Sequence, residues 1–198
     1  MPRIKAASVA EHVAEQEAAV LSTAVRLFCE RGYEHVTIGD IAAEIGLKRN
    51  SLYRYFPDKA RILVRWFQQE LPQQVARSEQ ILRGDGTPRE RIEAWALDQA
   101  DYAVSSEHEL MARISTIIPE LDDATRRELA DSHDALTRPM LDTLAEAGIS
   151  AVVDQQVVAA MIQQLSLAAA RAGNSATGRR YLRRAIGGLL IPADGAAG

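Results

Sequence analysis

Apolar residues recur at three- and four-residue steps along almost the whole chain, and the two-residue alternation of a half-buried strand is hard to find. Such a chain folds as an all-α protein, because each segment has one helical face to bury and nothing offers a sheet. Start and stop signals divide it into about nine helices. The first is expected over residues 11–31, with Val20, Ala24, Leu27 and Phe28 on one face and Gly32 at its end. Two short helices follow over 38–45 and 49–55, then a long one from 58 toward 82. Pro72 should bend or interrupt that helix, since proline removes a helix hydrogen bond. Arg83-Gly84-Asp85-Gly86 is the clearest turn, and Thr87-Pro88-Arg89-Glu90 opens the next helix with a capping box and proline at its first position. Later helices are expected over 107–117, over 121–147 with a kink at Pro139 and a stop at Gly148, over 155–172 capped by Asp154, and over 177–190.

A chain of 198 residues can bury a substantial core without covalent staples. Cys29 is the only cysteine, which rules out an intrachain disulfide and a cysteine-built zinc site and suits a reducing compartment. It follows Phe28 in an apolar helix and reads as a buried small hydrophobe. His12, His35, His108 and His133 show no metal-ligand spacing, and phosphate loops and nucleophile elbows are missing, so neither a cofactor nor an enzyme is expected. The N-terminus lacks the apolar region of a secretion signal, and no run approaches the ~20 residues of a membrane span, so the expected location is cytoplasmic, away from membranes.

Charge is unevenly distributed. Residues 1–66 hold ten Lys and Arg against eight Asp and Glu, a net +2, while the remainder holds 13 against 19, a net −6. Between Ile45 and Trp66 six basic residues face a single acid, Asp58. A basic patch on an acidic protein concentrates attraction for nucleic acid at one end.

That patch coincides with a two-helix unit. Thr37-Ile38-Gly39-Asp40 is a capped helix start, Ile41 and Ile45 face inward, Gly46 permits a sharp reversal, and Leu47 fills the turn. In the following helix Leu52 and Phe56 form the inner face, so Asn50, Tyr53 and Arg54 point away from it. An exposed helix of that chemistry suits the major groove of double-stranded DNA, with Arg49, Asn50 and Arg54 directed at base edges. Thr37, Lys48, Ser51, Tyr53, Tyr55 and Lys59 are placed for the phosphate backbone, which fixes register without reading sequence. The competing reading is a helical hairpin with a solvated basic face.

The run Thr37-Ile-Gly-Asp-Ile41-Ala42-Ala43-Glu44-Ile45-Gly46-Leu47, followed by Ser51-Leu52-Tyr53-Arg54-Tyr55-Phe56-Pro57-Asp58-Lys59, resembles the tetracycline-repressor (TetR) family. The tight match extends from Ala18 to Leu63. The resemblance implies a three-helix DNA-binding domain over 1–57 and a larger helical domain over 58–198 that binds a small molecule and dimerises through its last two long helices. It also implies phosphate contacts for Thr37, Tyr53, Tyr55 and Lys59, with Arg49, Asn50, Ser51 and Arg54 at the base-reading surface. Two positions depart from the family pattern: Lys48-Arg49-Asn50 replaces a small Ser-x-Gly opening, and Gly39 occupies an exposed place in the preceding helix.

Two further sets of residues follow from spacing placed on the family plan. Val157, Val158, Met161, Leu165 and Ala168 form one apolar strip and Leu182, Ala185, Ile186 and Leu189 another, expected to build a four-helix homodimer interface. Trp95, Gln99 and Tyr102 on one helix, with Met111, Met140 and Gln163, are expected around a pocket for a mostly apolar effector. Trp95 and Tyr102 suit an ordinary core equally well. The expected function is a regulator, most simply a repressor, released from a palindromic operator by its effector. The alternatives are a structural DNA-binding or nucleoid-associated protein without an effector, which a fully packed second domain would favour, and an enzyme on a helical scaffold, which turnover of a bound ligand would reveal.

Overall fold

The computed structural model describes residues 6–191, and among them it contains nine α-helices and no strand. These are α1 (Ala6–Arg31), α2 (Ile38–Glu44), α3 (Arg49–Leu52), α4 (Lys59–Leu82), α5 (Pro88–Tyr102), α6 (Ser106–Ile117), α7 (Asp123–Glu146), α8 (Val152–Arg171) and α9 (Ala176–Leu189). Short 3-10 turns at Tyr33–His35 and Ile118–Glu120 join α1 to α2 and α6 to α7.

The described chain forms two compact units. One holds the residues up to Glu70 together with Glu109–Glu120; the other holds Leu71–His108 and the residues from Leu121 onward. Helices α4 and α6 therefore contribute to both.

In the first unit, Val20, Ala24, Leu27 and Phe28 of α1 are buried with Ile38 and Ile41 of α2, Leu52 of α3, and Ile62, Leu63 and Trp66 of α4. Phe28 meets Tyr33 edge-on, with ring centroids 5.0 Å apart, which fixes the chain as it leaves α1. Cys29, expected inside, is half-buried. In the second unit, Leu82, Ile92, Trp95, Met140, Leu144, Ile162, Leu182 and Ile186 share one core drawn from α4, α5, α7, α8 and α9.

Capping chemistry accounts for most boundaries. Thr37 and Thr87 each form a full capping box, with Asp40 and Glu90 respectively, and Pro88 takes the first helical position of α5. Asp122 and Ser175 cap α7 and α9 by accepting from Thr125 N and Gly178 N.

Three expectations need correction. Helix α3 spans four residues instead of seven, because Pro57 drives Phe56 away from helical angles; the chain leaves through tight turns such as Tyr55 N to Leu52 O at 2.9 Å. Helix α8 begins at Val152, with Ala151 in the cap position and no side-chain cap, so Asp154 lies in the first turn, where its charge complements the helix dipole. Of the bend or interruption expected at Pro72, interruption is excluded, since α4 is helical on both sides of it.

Candidate functional site

The first candidate site is the surface of α2 and α3. Thr37 sets its start: the Thr37 N–H and hydroxyl both donate to Asp40 Oδ2, at 2.8 and 2.6 Å, and Asp40 N donates back to Thr37 Oγ1. Those bonds hold the Asp40 carboxyl below its ordinary range, the hydroxyl of Thr37 contributing most. They also commit the single hydrogen of the Thr37 hydroxyl to Asp40, leaving lone pairs that do not suit a phosphate oxygen. Gly46 makes the reversal between the helices at φ 71°, a conformation costly for any residue with a Cβ.

Beyond the turn, Lys48, Arg49, Asn50, Tyr53 and Arg54 are all exposed, while Ser51 and Tyr55 are half-buried and Leu52 is fully buried. The inner and outer faces thus fall as the 100° spacing requires. Arg49 is not a loose cation. Its Nη2 donates to the Tyr53 hydroxyl at 3.0 Å and its guanidinium lies 5.6 Å from that ring's centroid, which orders the side chain. Gly39 lies close by, since a Cβ added there would stand 4.0 Å from Arg49 Cδ.

Lys59 is placed differently from a simple surface lysine. Its Nζ donates to the Tyr33 carbonyl at 2.8 Å, lies 4.2 Å from the Tyr33 ring centroid, and approaches Glu34 Oε2 at 3.9 Å. Arg113 of α6 meets the same Glu34 at 3.4 Å. The turn at Tyr33–His35 is therefore tied to α4 and α6 by side chains that composition alone does not pair.

The second candidate site is a cavity of about 130 Å³ inside the second unit, lined by Gln74, Ser78, Trp95, Gln99, Leu136, Thr137, Met140, Ala159 and Gln163. Trp95, Gln99, Met140 and Gln163 come together as the spacing anticipated. Tyr102 and Met111 do not line it: Tyr102 packs edge-on against His108 at 5.6 Å, and Met111 belongs to the first unit. Gln74, Ser78, Leu136, Thr137 and Ala159 were missed. A usable signal existed, because four helices each contribute a pair four residues apart: Gln74 and Ser78, Trp95 and Gln99, Leu136 and Met140, Ala159 and Gln163. The indole of Trp95 is fixed by its own N–H, donated to the buried Ser78 hydroxyl at 3.1 Å.

A third feature is an open apolar groove along α8 and α9, lined by Val157, Ala160, Met161, Gln164, Leu165, Ala185, Gly188 and Leu189. Val157 and Met161 are about half exposed, at 53% and 46%. Ala168 lines the adjoining groove and Val158 packs at the edge of the core. Leu182 and Ile186 correct the expected strip: both are buried within the unit's own core, because residues four apart share a face and theirs is the inward one. Among the described residues no group of three His, Cys, Asp or Glu could hold a metal ion, and no helix is long and apolar enough to cross a membrane.

A capped helix, a glycine reversal and a second helix with an outward cationic and aromatic face define a helix-turn-helix protein. Residues 20–65 match the family model described as bacterial regulatory proteins, tetR family. Over that stretch the chain is similar to the DNA-binding domain of the TetR family of regulatory proteins. It is 27% identical over 73 residues to the fatty acid metabolism regulator protein of Bacillus subtilis (strain 168), a stretch that is 37% of this chain and 38% of that relative. The matched part of the chain thus spans less than two fifths of that relative's length. Among solved structures, a putative transcriptional regulator from Saccharomonospora viridis in complex with choline superposes with TM-score 0.65 at 20% identity, covering 89% of this chain and 96% of the other. The FadR regulator of Bacillus subtilis in complex with stearoyl-CoA gives 0.63 at 16% identity, over 88% and 97%. At such identities the likeness is one of fold.

Proposed function

We propose that the protein is a homodimeric, operator-binding transcription regulator, acting most simply as a repressor, whose hold on DNA is weakened by a small molecule in the cavity of the second unit. The observation that carries this reading is the outward face of α3, where Arg49, Asn50, Tyr53 and Arg54 stand exposed while Leu52 anchors the helix. Arg49 and Asn50 are suited to guanine and adenine, each good bidentate pair discriminating by about 1–3 kcal/mol. Tyr53, Lys48 and Lys59 supply the phosphate-directed donors. Lys59 reaches a phosphate only by sharing its ammonium with the Tyr33 carbonyl.

In the proposed dimer the groove of α8 and α9 meets its own copy, so the operator is read as two half-sites about 34–36 Å apart or at a related spacing. The walled cavity favours a regulator over a purely structural DNA-binding protein, which has no need of one. The two solved structures named above are complexes with charged molecules, choline and stearoyl-CoA. The cavity here has no charged side chain among its described lining residues, so neither ligand is carried over.

The test is selection of bound fragments from genomic DNA by the full-length protein, with and without candidate metabolites. Enrichment of palindromic sequences that a metabolite abolishes supports the reading. Retention of DNA without sequence preference, unaffected by any small molecule, supports the structural alternative.

A further inference from the structure

We propose that the cavity selects an uncharged ligand of about the size of one substituted ring, carrying both a hydrogen-bond donor and an acceptor. The inference rests on the reading of this cavity as the effector site and names the chemistry that site accepts.

The lining decides the charge. None of the nine described lining residues carries one, and an ion taken out of water without a partner costs several kcal/mol. Among the charged residues that adjoin the lining along the chain, Arg138, next to Thr137, is exposed on α7, whereas Arg77, next to Ser78, donates through Nε to Asp98 Oδ1 at 2.8 Å, and Asp98 is next to Gln99. Arg77 and Asp98 satisfy each other, so neither is available to neutralise an entering anion or cation.

Polarity follows from the amides. Gln74, Gln99 and Gln163 approach from α4, α5 and α8, and α7 brings the Thr137 hydroxyl, which donates to the Asp134 carbonyl at 3.3 Å. A carboxamide both donates and accepts, so three of them around one space favour a ligand that does the same and disfavour a pure hydrocarbon, which would leave them unpaired. Apolar contact comes from Trp95, Leu136, Met140 and Ala159.

Size comes from the volume. The cavity measures about 130 Å³, below the ~300–1,000 Å³ of pockets for drug-sized molecules and comparable with the ~150 Å³ that accommodates benzene. A long acyl chain or a nucleotide head group does not fit such a space.

Three probes of one size separate the possibilities: benzamide, benzoate and benzamidinium, titrated calorimetrically into the full-length protein. Benzamide should bind at least about tenfold more tightly than either ion, a difference of about 1.4 kcal/mol. Gln163→Glu, a change at an exposed position of the wall, should raise benzamidinium above benzamide by placing a carboxylate at the site. Benzoate or benzamidinium matching benzamide on the unaltered protein, absence of binding by all three, or an order of affinities unchanged in Gln163→Glu would overturn the proposal. Retention of genomic DNA fragments, measured on the same preparation, separates the two levels. A protein that holds its operator but takes none of the probes loses the ligand class and keeps the regulator reading. Benzamide selectivity in a protein that retains no DNA supports the cavity chemistry and removes the regulator reading.

Discussion

At the level of single residues, the surface proposed to face DNA is ordered by contacts within the protein itself. Arg49→Ala should relax base preference at one position of each half-site, seen as a flattened base profile in a binding selection. Tyr53→Phe keeps the ring beneath Arg49 and removes the 3.0 Å hydrogen bond, so it should cost less specificity than Arg49→Ala. Lys59→Ala should reduce the salt slope of DNA binding by about one and also lower the melting temperature, because its ammonium ties the Tyr33 carbonyl to α4. Unaltered thermal stability in that variant would show the tie to be inconsequential. The outward direction of Asn50, Tyr53 and Arg54 was legible from the positions of Leu52 and Phe56. The partners of Thr37 and Lys59 were not equally so. Asp40 stands three residues from Thr37 and was read as a cap, but the cap's claim on the hydroxyl hydrogen appears only with the geometry, and Lys59 pairs with a backbone carbonyl 26 residues away.

At the level of elements, the two capping boxes make α2 and α5 sensitive to acid. The hydrogen bonds from Thr37 hold Asp40 below its ordinary 3.8, and those from Thr87, the backbone bond foremost, hold Glu90 below its ordinary 4.5. A carboxyl lowered in the folded state contributes stability that is present above its unfolded value and is lost as the pH falls through the lowered one. Acid unfolding followed by circular dichroism should therefore show a shallower dependence below about pH 4 in the Asp40→Asn, Glu90→Gln double variant than in the unaltered protein. Pro72 is exposed within α4, and Pro72→Ala should stabilise the fold by about 1–3 kcal/mol in a denaturant titration, since it restores a hydrogen bond and removes a clash. Helix starts with a threonine cap were readable because the cap is local chemistry. The start of α8 was not, because 149–153 offers only Ser150 as a polar residue and Asp154 suits a first turn as well as a cap. For α4, the helix survives its proline because Leu71 before it and Ser78 and Leu82 after it are buried, and burial outweighs a local penalty that sequence reading weighs alone.

At the level of the whole molecule, the apolar groove of α8 and α9 makes assembly testable with one substitution. Met161→Glu should convert a dimer to a monomer in sedimentation at micromolar concentration, and a dimeric mass in that variant would move the interface elsewhere. The all-α architecture and its order of helices were legible from periodicity. The membership of the cavity was only half so, because a helical repeat says which side chains share a face but not which faces converge, and Tyr102 and Met111 fell on the wrong side of that distinction. The uncharged wall has a last consequence, for physiology. None of its described lining residues titrates between pH 5 and 8, so a pH dependence of binding to them would belong to the ligand. A neutral molecule of that size diffuses through a lipid bilayer without a carrier, because no charge need be stripped of water on the way. On the proposal made above, the concentration of such an effector equalises across the envelope, and a cell carrying this protein would report on its surroundings without ever importing the signal.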